Sequence, residues 1–418
     1  MTSNWKKCKL KDLCIDNKGS YGIAASAVEY SENLYTYLRI SDITDVGTLS
    51  KSDLKSVADT DADKYLLQPN DIVFARTGGS TGRNYFYDGS DGPLVYAGFL
   101  IKFSINPSLI NPKYLKYYCQ SQTYKNWVNS FNTGSTRGNI NAQTYGNMDI
   151  LVPPRIQQDL LVSVLSAIDD KIELNNSINN NLEQQSMALF KQKIIKNCDN
   201  NKNGTIGEYC SVKSGYAFKG TWWKDNGVKV IKIKTIDNDS INFNDCSYVS
   251  NDKVEFAKDF IVQGGDLLIA MTGATIGKFA IIPKVNEPLL VNQRVGKFFL
   301  GSEPLNRLPF LYCSLKQQDI ITEIINRGQG SAQPNISSSD IMTTPCYLPN
   351  DYIIDEFNEL CKTIFETIIT NKYENERLIQ LRDTLLPKLM FGEIDVSNIE
   401  IDEILDNIST DKLSFGED

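Results

Sequence analysis

The chain is written twice, and that duplication constrains its architecture more than any other feature. The segment 76–83 (RTGGSTGR) returns as 271–278 (MTGATIGK), an offset of 195 residues. Each copy follows an acidic turn and an apolar run, DIVFA from Asp71 and DLLIA from Asp266, and the same offset lays Lys102-Phe103 on Lys297-Phe298. Further on one residue is gained, so 133–140 (TGSTRGNI) matches 329–336 (QGSAQPNI) at an offset of 196, and Pro153 matches Pro349. Long helical stretches follow both prolines, 156 to about 195 and 352 to about 391. The order is globular half, long helix, globular half, long helix.

Each globular half mixes short β-type runs (71–75, 94–103, 228–236, 289–300) with Gly, Asn, Asp and Pro turns. A helical stretch around 112–128 has its counterpart around 308–325. The expected fold class is α+β, with two β-rich domains separated by two long helices. The expected boundaries are 1–155 and 201–350 for the domains, 156–200 and 351–396 for the helices, and 397–418 for an acidic tail.

In the first helix Leu161, Leu165, Ile168, Ile172, Asn175, Asn179, Leu182, Ser186 and Leu189 step alternately by four and three. At offset 196 the second gives Phe357, Cys361, Ile364, Ile368, Asn371, Asn375, Leu378, Arg382 and Leu385. That 3.5-residue period marks a coiled-coil seam, expected to pair antiparallel. Roughly 40 residues at about 1.5 Å each span about 60 Å, so the helices are spacers as well as core. Asn350 or Asp351 caps the second helix, Gly392 ends it, and Pro387 is expected to bend or loosen its last turn. The first is expected to dissolve in the Asn-rich stretch 197–204. Asn175 and Asn371 fall near mid-helix. Either they meet at the centre of the seam and fix its register, or both lie on the surface of a helix drifting out of phase.

The side-chain inventory excludes much chemistry. With no histidine there is no Ser-His or Cys-His nucleophile and no imidazole zinc site. The nine cysteines include no C-x-x-C pair and suit free thiols in a reducing compartment. The segment 272–279 (TGATIGKF) departs from a P-loop: its glycines are one residue too close, and Phe279 stands where a magnesium-binding hydroxyl belongs. No N-P-P-[YF] or D-P-P-[YF] methylase motif occurs, and no paired-carboxylate nuclease signature is evident. No run is apolar enough to cross a bilayer, and the expected location is the cytoplasm. The net charge of −8 sits wholly in 393–418, with nine acidic residues and one lysine; the remainder balances 42 basic against 42 acidic groups, so local basic patches remain available to phosphate. The composition is that of a binder.

The run PPRIQQ from Pro153, continuing into IDDKIELNN from Ile168 and NLEQQSMALFKQ from Asn181, resembles the central spacer helix of type I restriction-modification specificity subunits. NKYENERLIQLRDTLLPKLMFGEI from Asn371 resembles their C-terminal spacer, and the T-G-x-x-x-G and G-S-x-x-x-N-I loops resemble those of their target recognition domains. The resemblance spans about residues 5–396. It implies that each domain reads one half of a split double-stranded DNA target while antiparallel helices set the gap. It also implies two methylation subunits that carry S-adenosylmethionine and, when present, restriction subunits that use ATP with Mg. The chain itself would hold no cofactor or metal and have no catalytic residue. The alternative from another class is a non-enzymatic protein-binding scaffold with duplicated domains.

The duplication also separates scaffold from specificity. Positions shared by both halves (Gly78 and Gly273, Gly82 and Gly277, Gly134 and Gly330, Asn139 and Asn335) serve the fold or backbone contacts. Thr77 and Thr272 are shared in the same way. Positions that differ within the loops are candidates for base contact: Arg76, Ser80, Arg83, Thr136 and Arg137 in the first domain, and Thr275, Lys278, Gln293, Arg294, Gln329 and Gln333 in the second. Arginine forks onto guanine O6 and N7, glutamine pairs with adenine, and lysine, serine and threonine hold phosphates. Lys213, Tyr216, Lys219, Trp222 and Trp223 form a basic-aromatic stretch that either grips DNA or is partly core; its expected first-domain counterpart is Lys18 with Tyr21.

Overall fold

The computed structural model describes residues 4–131, 138–237, 239–328 and 334–393. Its contacts gather into two compact units. Described residues up to Asp170 join those from Leu378 onward in the first, and Lys171–Arg377 form the second. Each unit therefore takes a globular half, part of one long helix and part of the other.

The two halves carry the same sheets. In the first unit Ser20–Tyr21, Leu100–Ser104, Asp71–Ala75 and Asn84–Tyr87 form one antiparallel sheet in that order. In the second, Ser211–Ser214, Val295–Phe299, Leu267–Ala270 and Phe279–Ile281 repeat it. The apolar run Asp71–Ala75 is central in its sheet and buried on both faces, which is why it reads as a continuous block instead of alternating. A second sheet lies in each half: Ala27–Glu29, Lys55–Val57, Tyr35–Leu38 and Leu94–Tyr96 in one. Its copy runs Trp223–Lys224, Ser247–Val249, Val228–Ile231, Leu289–Val291 and an added edge strand Ile261–Val262. One parallel pairing recurs in both, Thr36 opposite Leu94 and Lys229 opposite Leu289. The fold is α+β, as the sequence predicts.

Strand register corrects one expected correspondence. Ser20 faces Lys102, whereas Lys213 faces Lys297, the repeat of Lys102. Likewise Ile23 bridges Ala97 and Tyr216 bridges Asn292. The partners of Lys213 and Tyr216 in the first domain are thus Ser20 and Ile23, not Lys18 and Tyr21. The loops between Tyr21 and Asp71 are two residues shorter than those between Ser214 and Asp266, so the offset is 193 at this strand and 195 beyond it.

Each expected short helical stretch is two helices, Pro112–Tyr118 and Gln122–Asn129, repeated as Leu308–Leu315 and Gln318–Arg327. Asn111 caps the first, accepting from Lys113 N at 3.0 Å ahead of a proline that needs no donor there.

The first long helix is Arg155–Phe190, prolonged by a π turn Lys191–Ile195 and a 3-10 turn Lys196–Cys198. The second is Asp351–Met390, capped by Asn350, whose Oδ1 accepts from Ile353 N at 3.1 Å. It continues through Pro387, and Gly392 stops it at φ +67°. In the first unit Leu161 and Leu165 share a core with Leu386, Leu389 and Met390, with Leu385 packed at its edge. Ile168 and Leu378 are also buried. In the second unit Phe357, Cys361 and Phe190 are core, with Ile364 and Leu189 packed on it; Ile368 is buried, and Ile172 and Leu182 are half-buried.

The asparagines do meet, but not as the sequence suggests. Asn175 donates to Asn375 Oδ1 at 2.9 Å and to Glu374 Oε2 at 2.8 Å, while Asn371 donates to Asn179 Oδ1 at 2.8 Å. Asn375 donates in turn to Asn176 at 2.9 Å. The partner numbers fall as the first-helix numbers rise, so the helices pair antiparallel here. Under the repeat Asn175 corresponds to Asn371 and Asn179 to Asn375, so the two contacts are copies of each other. Asn175 and Asn371 do not touch, because each is paired with the asparagine one turn beyond the other, Asn375 and Asn179.

Candidate nucleic-acid interface

In each half three loops are tied backbone to backbone at the end of the central strand. The first leaves Asp71–Ala75, makes the tight turn Gly78–Ser80 and returns, with Arg83 N donating to Ser80 O at 2.9 Å; Lys278 N donates to Thr275 O at 3.0 Å in the copy. Gly78 and Gly82 have φ of +77° and +88°, and Gly273 and Gly277 of +73° and +82°. A Cβ on Gly82 would fall 2.4 Å from Val128, and one on Gly277 2.7 Å from Ile325. The second glycine of each loop therefore serves both a left-handed turn and a close approach to a helix.

The second loop pairs with the first through bridges Thr77 to Asn139 and Thr272 to Asn335. Ile140 N donates to Arg76 O, and Ile336 N to Met271 O, both at 2.9 Å. The third is the turn before Leu100 and its copy before Val295: Arg76 N donates to Phe99 O at 3.1 Å, and Met271 N to Arg294 O at 3.0 Å. Arg76, Thr77 and Ser80 are thereby gathered in one corner, and Thr272, Thr275, Gln293 and Arg294 in the other. Gln293 and Arg294 are exposed, and the others are half-buried.

Only two buried side-chain polar atoms among the described residues lack a hydrogen-bond partner, Arg76 Nε and Thr272 Oγ1. Both sit on the same loop, one in each copy. An orphaned buried donor costs about 1–3 kcal/mol and is rare away from functional sites. The Arg76 guanidinium lies 5.1 Å from the ring centre of Tyr21, whose hydroxyl accepts from Ala142 N at 3.2 Å.

Arg83 and Lys278 face other partners. Arg83 Nε is 2.7 Å from Asp45 and Arg83 Nη1 donates to Ile43 O at 3.1 Å; Lys278 Nζ is 2.8 Å from Asp237. The two positions carry different residues, yet both make the same kind of ion pair with an exposed aspartate. Each is therefore tied to its own domain as well as cationic.

Tyr216 joins the second corner through Gln293 N, which donates to its carbonyl at 3.0 Å. Its ring stacks on Trp222 at 6.0 Å and 9°. Lys219 lies 5.6 Å from the Trp222 ring and Lys253 5.1 Å, while Lys213 lies over Phe299 at 5.0 Å. Lys232 sits 3.6 Å from the Trp223 ring, its ammonium held below the usual lysine range by burial and by neighbouring Lys234. Tyr216, Trp222 and Trp223 are half-buried against Phe218, Val228, Val230 and Val249. The stretch is partly core, as one of the two readings expects, and its indoles also carry lysines.

Thr136, Arg137, Gln329 and Gln333 lie outside the described residues. Phe99 was missed by the sequence reasoning although it is the repeat of Arg294 at offset 195; a search for polar contacts passes over phenylalanine. Among the described residues no cluster of three or more Cys, Asp or Glu could hold a metal, and no helix is long and apolar enough to cross a membrane.

A family model described as the type I restriction modification DNA specificity domain matches residues 2–184 and again 199–381. The chain is 23% identical to the type I restriction enzyme MjaVIII specificity subunit of Methanocaldococcus jannaschii, over 95% of this chain and 94% of the relative. It is 21% identical to the HindI specificity subunit of Haemophilus influenzae, over 94% of this chain and the whole relative. The crystal structure of a type I restriction-modification S subunit from M. genitalium shares the fold, with a TM-score of 0.51 at 17% identity over 92% of this chain and 96% of that one. Matched twice by the family model over most of its length, the chain belongs to the type I restriction modification DNA specificity family.

Proposed function

We propose that the chain selects the DNA target of a type I restriction-modification complex, each globular domain reading one half of a bipartite site. The observation that carries this is the three-loop corner built twice with the same backbone and different side chains. One scaffold then presents two chemical surfaces, as a split target with unlike halves requires. Arg76 with its unpartnered Nε, and the exposed Gln293 and Arg294, are suited to base edges; Thr77, Ser80, Thr272 and Thr275 are suited to phosphates. Thr136, Arg137, Gln329 and Gln333 belong to the same proposal.

The chain does no chemistry in this reading. Methyl transfer falls, as the family resemblance implies, to two methylation subunits carrying S-adenosylmethionine. Restriction subunits, where the complex includes them, supply ATP and magnesium. The complex works where DNA lies, in the cytoplasm.

The test is base-modification sequencing of a host carrying the chain and its neighbouring methylase, compared with one lacking the chain. A split motif methylated only in its presence is expected, and exchanging residues 205–350 should change one half. An identical pattern with and without the chain would refute sequence reading and favour the scaffold alternative.

A further inference from the structure

The turn 97–100 and its copy 292–295 hold different side chains on one backbone. In both, the last amide donates to the first carbonyl, Leu100 N to Ala97 O at 2.8 Å and Val295 N to Asn292 O at 2.9 Å. In both, the third carbonyl accepts the amide that opens the glycine loop. That third residue is Phe99 in one domain and Arg294 in the other. Both project into solvent, and the phenyl ring is 59% exposed beside Arg76. Phenylalanine offers a phosphate nothing, so at a corner facing DNA its partner must be apolar. The one apolar group on a major-groove base edge is the thymine methyl, while the group that best fits an arginine fork is the O6/N7 edge of guanine.

We infer that this turn position selects one base in each half-site, Phe99 contacting a thymine methyl and Arg294 a guanine. The inference rests on the DNA-reading function above and adds to it the base class at one position of each half. It also explains why a scaffold shared by both domains can read unlike halves: one residue changes the chemistry and the hydrogen bonds that place it stay the same.

The test uses the chain assembled with its methylation subunits, on duplexes carrying the motif found by base-modification sequencing. The half belonging to the first domain is the one that survives exchange of residues 205–350. Each thymine in it is replaced in turn by deoxyuridine, which lacks the methyl. One replacement should weaken binding about fourfold, and Phe99→Ala should be indifferent to it. In the other half, 7-deazaguanine at one guanine should weaken binding about tenfold, and Arg294→Ala should be indifferent to that. A first half-site with no A·T pair overturns the assignment of Phe99, as does an undiminished deoxyuridine effect in Phe99→Ala. An undiminished 7-deazaguanine effect in Arg294→Ala overturns that of Arg294. Unfolding temperatures should match the unaltered chain; a fall would place the altered side chain in the scaffold and also refute its role. Methylation that does not depend on the chain at all would instead remove the function on which the inference rests.

Discussion

Asn175→Ala removes two hydrogen bonds from a position only 1% exposed. One goes to the Glu374 carboxylate at 2.8 Å, the other to the Asn375 amide at 2.9 Å. A bond to a charged group contributes about 1.5–3 kcal/mol and a neutral one about 0.5–1.5 kcal/mol. Glu374 keeps Lys171 at 3.4 Å, while Asn375 keeps its Nδ2 bond to Asn176 at 2.9 Å but loses the donor to its Oδ1. The expected net loss is about 2–3 kcal/mol, or about 5–10 °C in unfolding temperature for a unit of this size. Asn371→Ala, which removes one neutral bond at a half-buried site, should cost about 1 kcal/mol. Thermal unfolding followed by circular dichroism, arranged as a double-mutant cycle with Asn375→Ala, should give a coupling of about 1 kcal/mol or more. A coupling below about 0.3 kcal/mol, or equal losses at Asn175 and Asn371, would refute the ladder as a source of stability. Replacing Asn175 and Asn375 together with leucine should leave stability equal or higher while loosening register, visible as mixed oligomeric states.

Lys297→Met strands the Asp266 carboxylate, 2.7 Å away and 2% exposed, and should cost about 3–5 kcal/mol in urea unfolding. Lys102→Met should cost less, because its pair with Asp71 is 3.4 Å long and Ser104 also donates to that carboxylate at 2.6 Å. Burial pushes the Glu376 carboxyl from 4.5 up to about 7 against the pull of Lys229 and Lys372. Between those pH values the folded state holds a proton that the unfolded state has released, so stability should fall as pH rises through this window. Glu376→Gln should flatten that slope in pH-dependent calorimetry, and an unchanged slope would assign it elsewhere. Arg83→Ala and Lys278→Ala break largely exposed ion pairs and should change stability by less than about 1 kcal/mol. Each should lower the salt slope of DNA binding by about 1 without altering the methylated motif, and an altered motif would make them base readers.

The parts legible in sequence were those set by short-range pattern. The apolar blocks from Asp71 and Asp266, the glycine loops after them and the alternating four-and-three seam all stand where periodicity put them, because each depends on residues close in the chain. What sequence could not supply was alignment between distant elements. The loops before Asp71 and Asp266 differ in length, so a single offset tied Tyr21 to Tyr216 where the strands pair Ile23 with it. The seam pattern named the asparagines that pair, but the register between the two helices decides which two meet, and no single helix carries that information. The ion pairs of Arg83 and Lys278 were hidden for a similar reason, since Asp45 and Asp237 stand at an offset of 192 and not 195.

The core of the first unit is closed by Leu386, Leu389 and Met390, which reach it from the far end of the chain. A nascent chain emerging from the ribosome can finish Lys171–Arg377 while the earlier domain, although made first, still waits for its lid. Until those side chains emerge, the core that holds Leu161 and Leu165 lacks part of its cover. A chain broken off before Leu386 would leave that core open to chaperones and proteases, so damage to the last turns of the second long helix is expected to be sensed in the first unit.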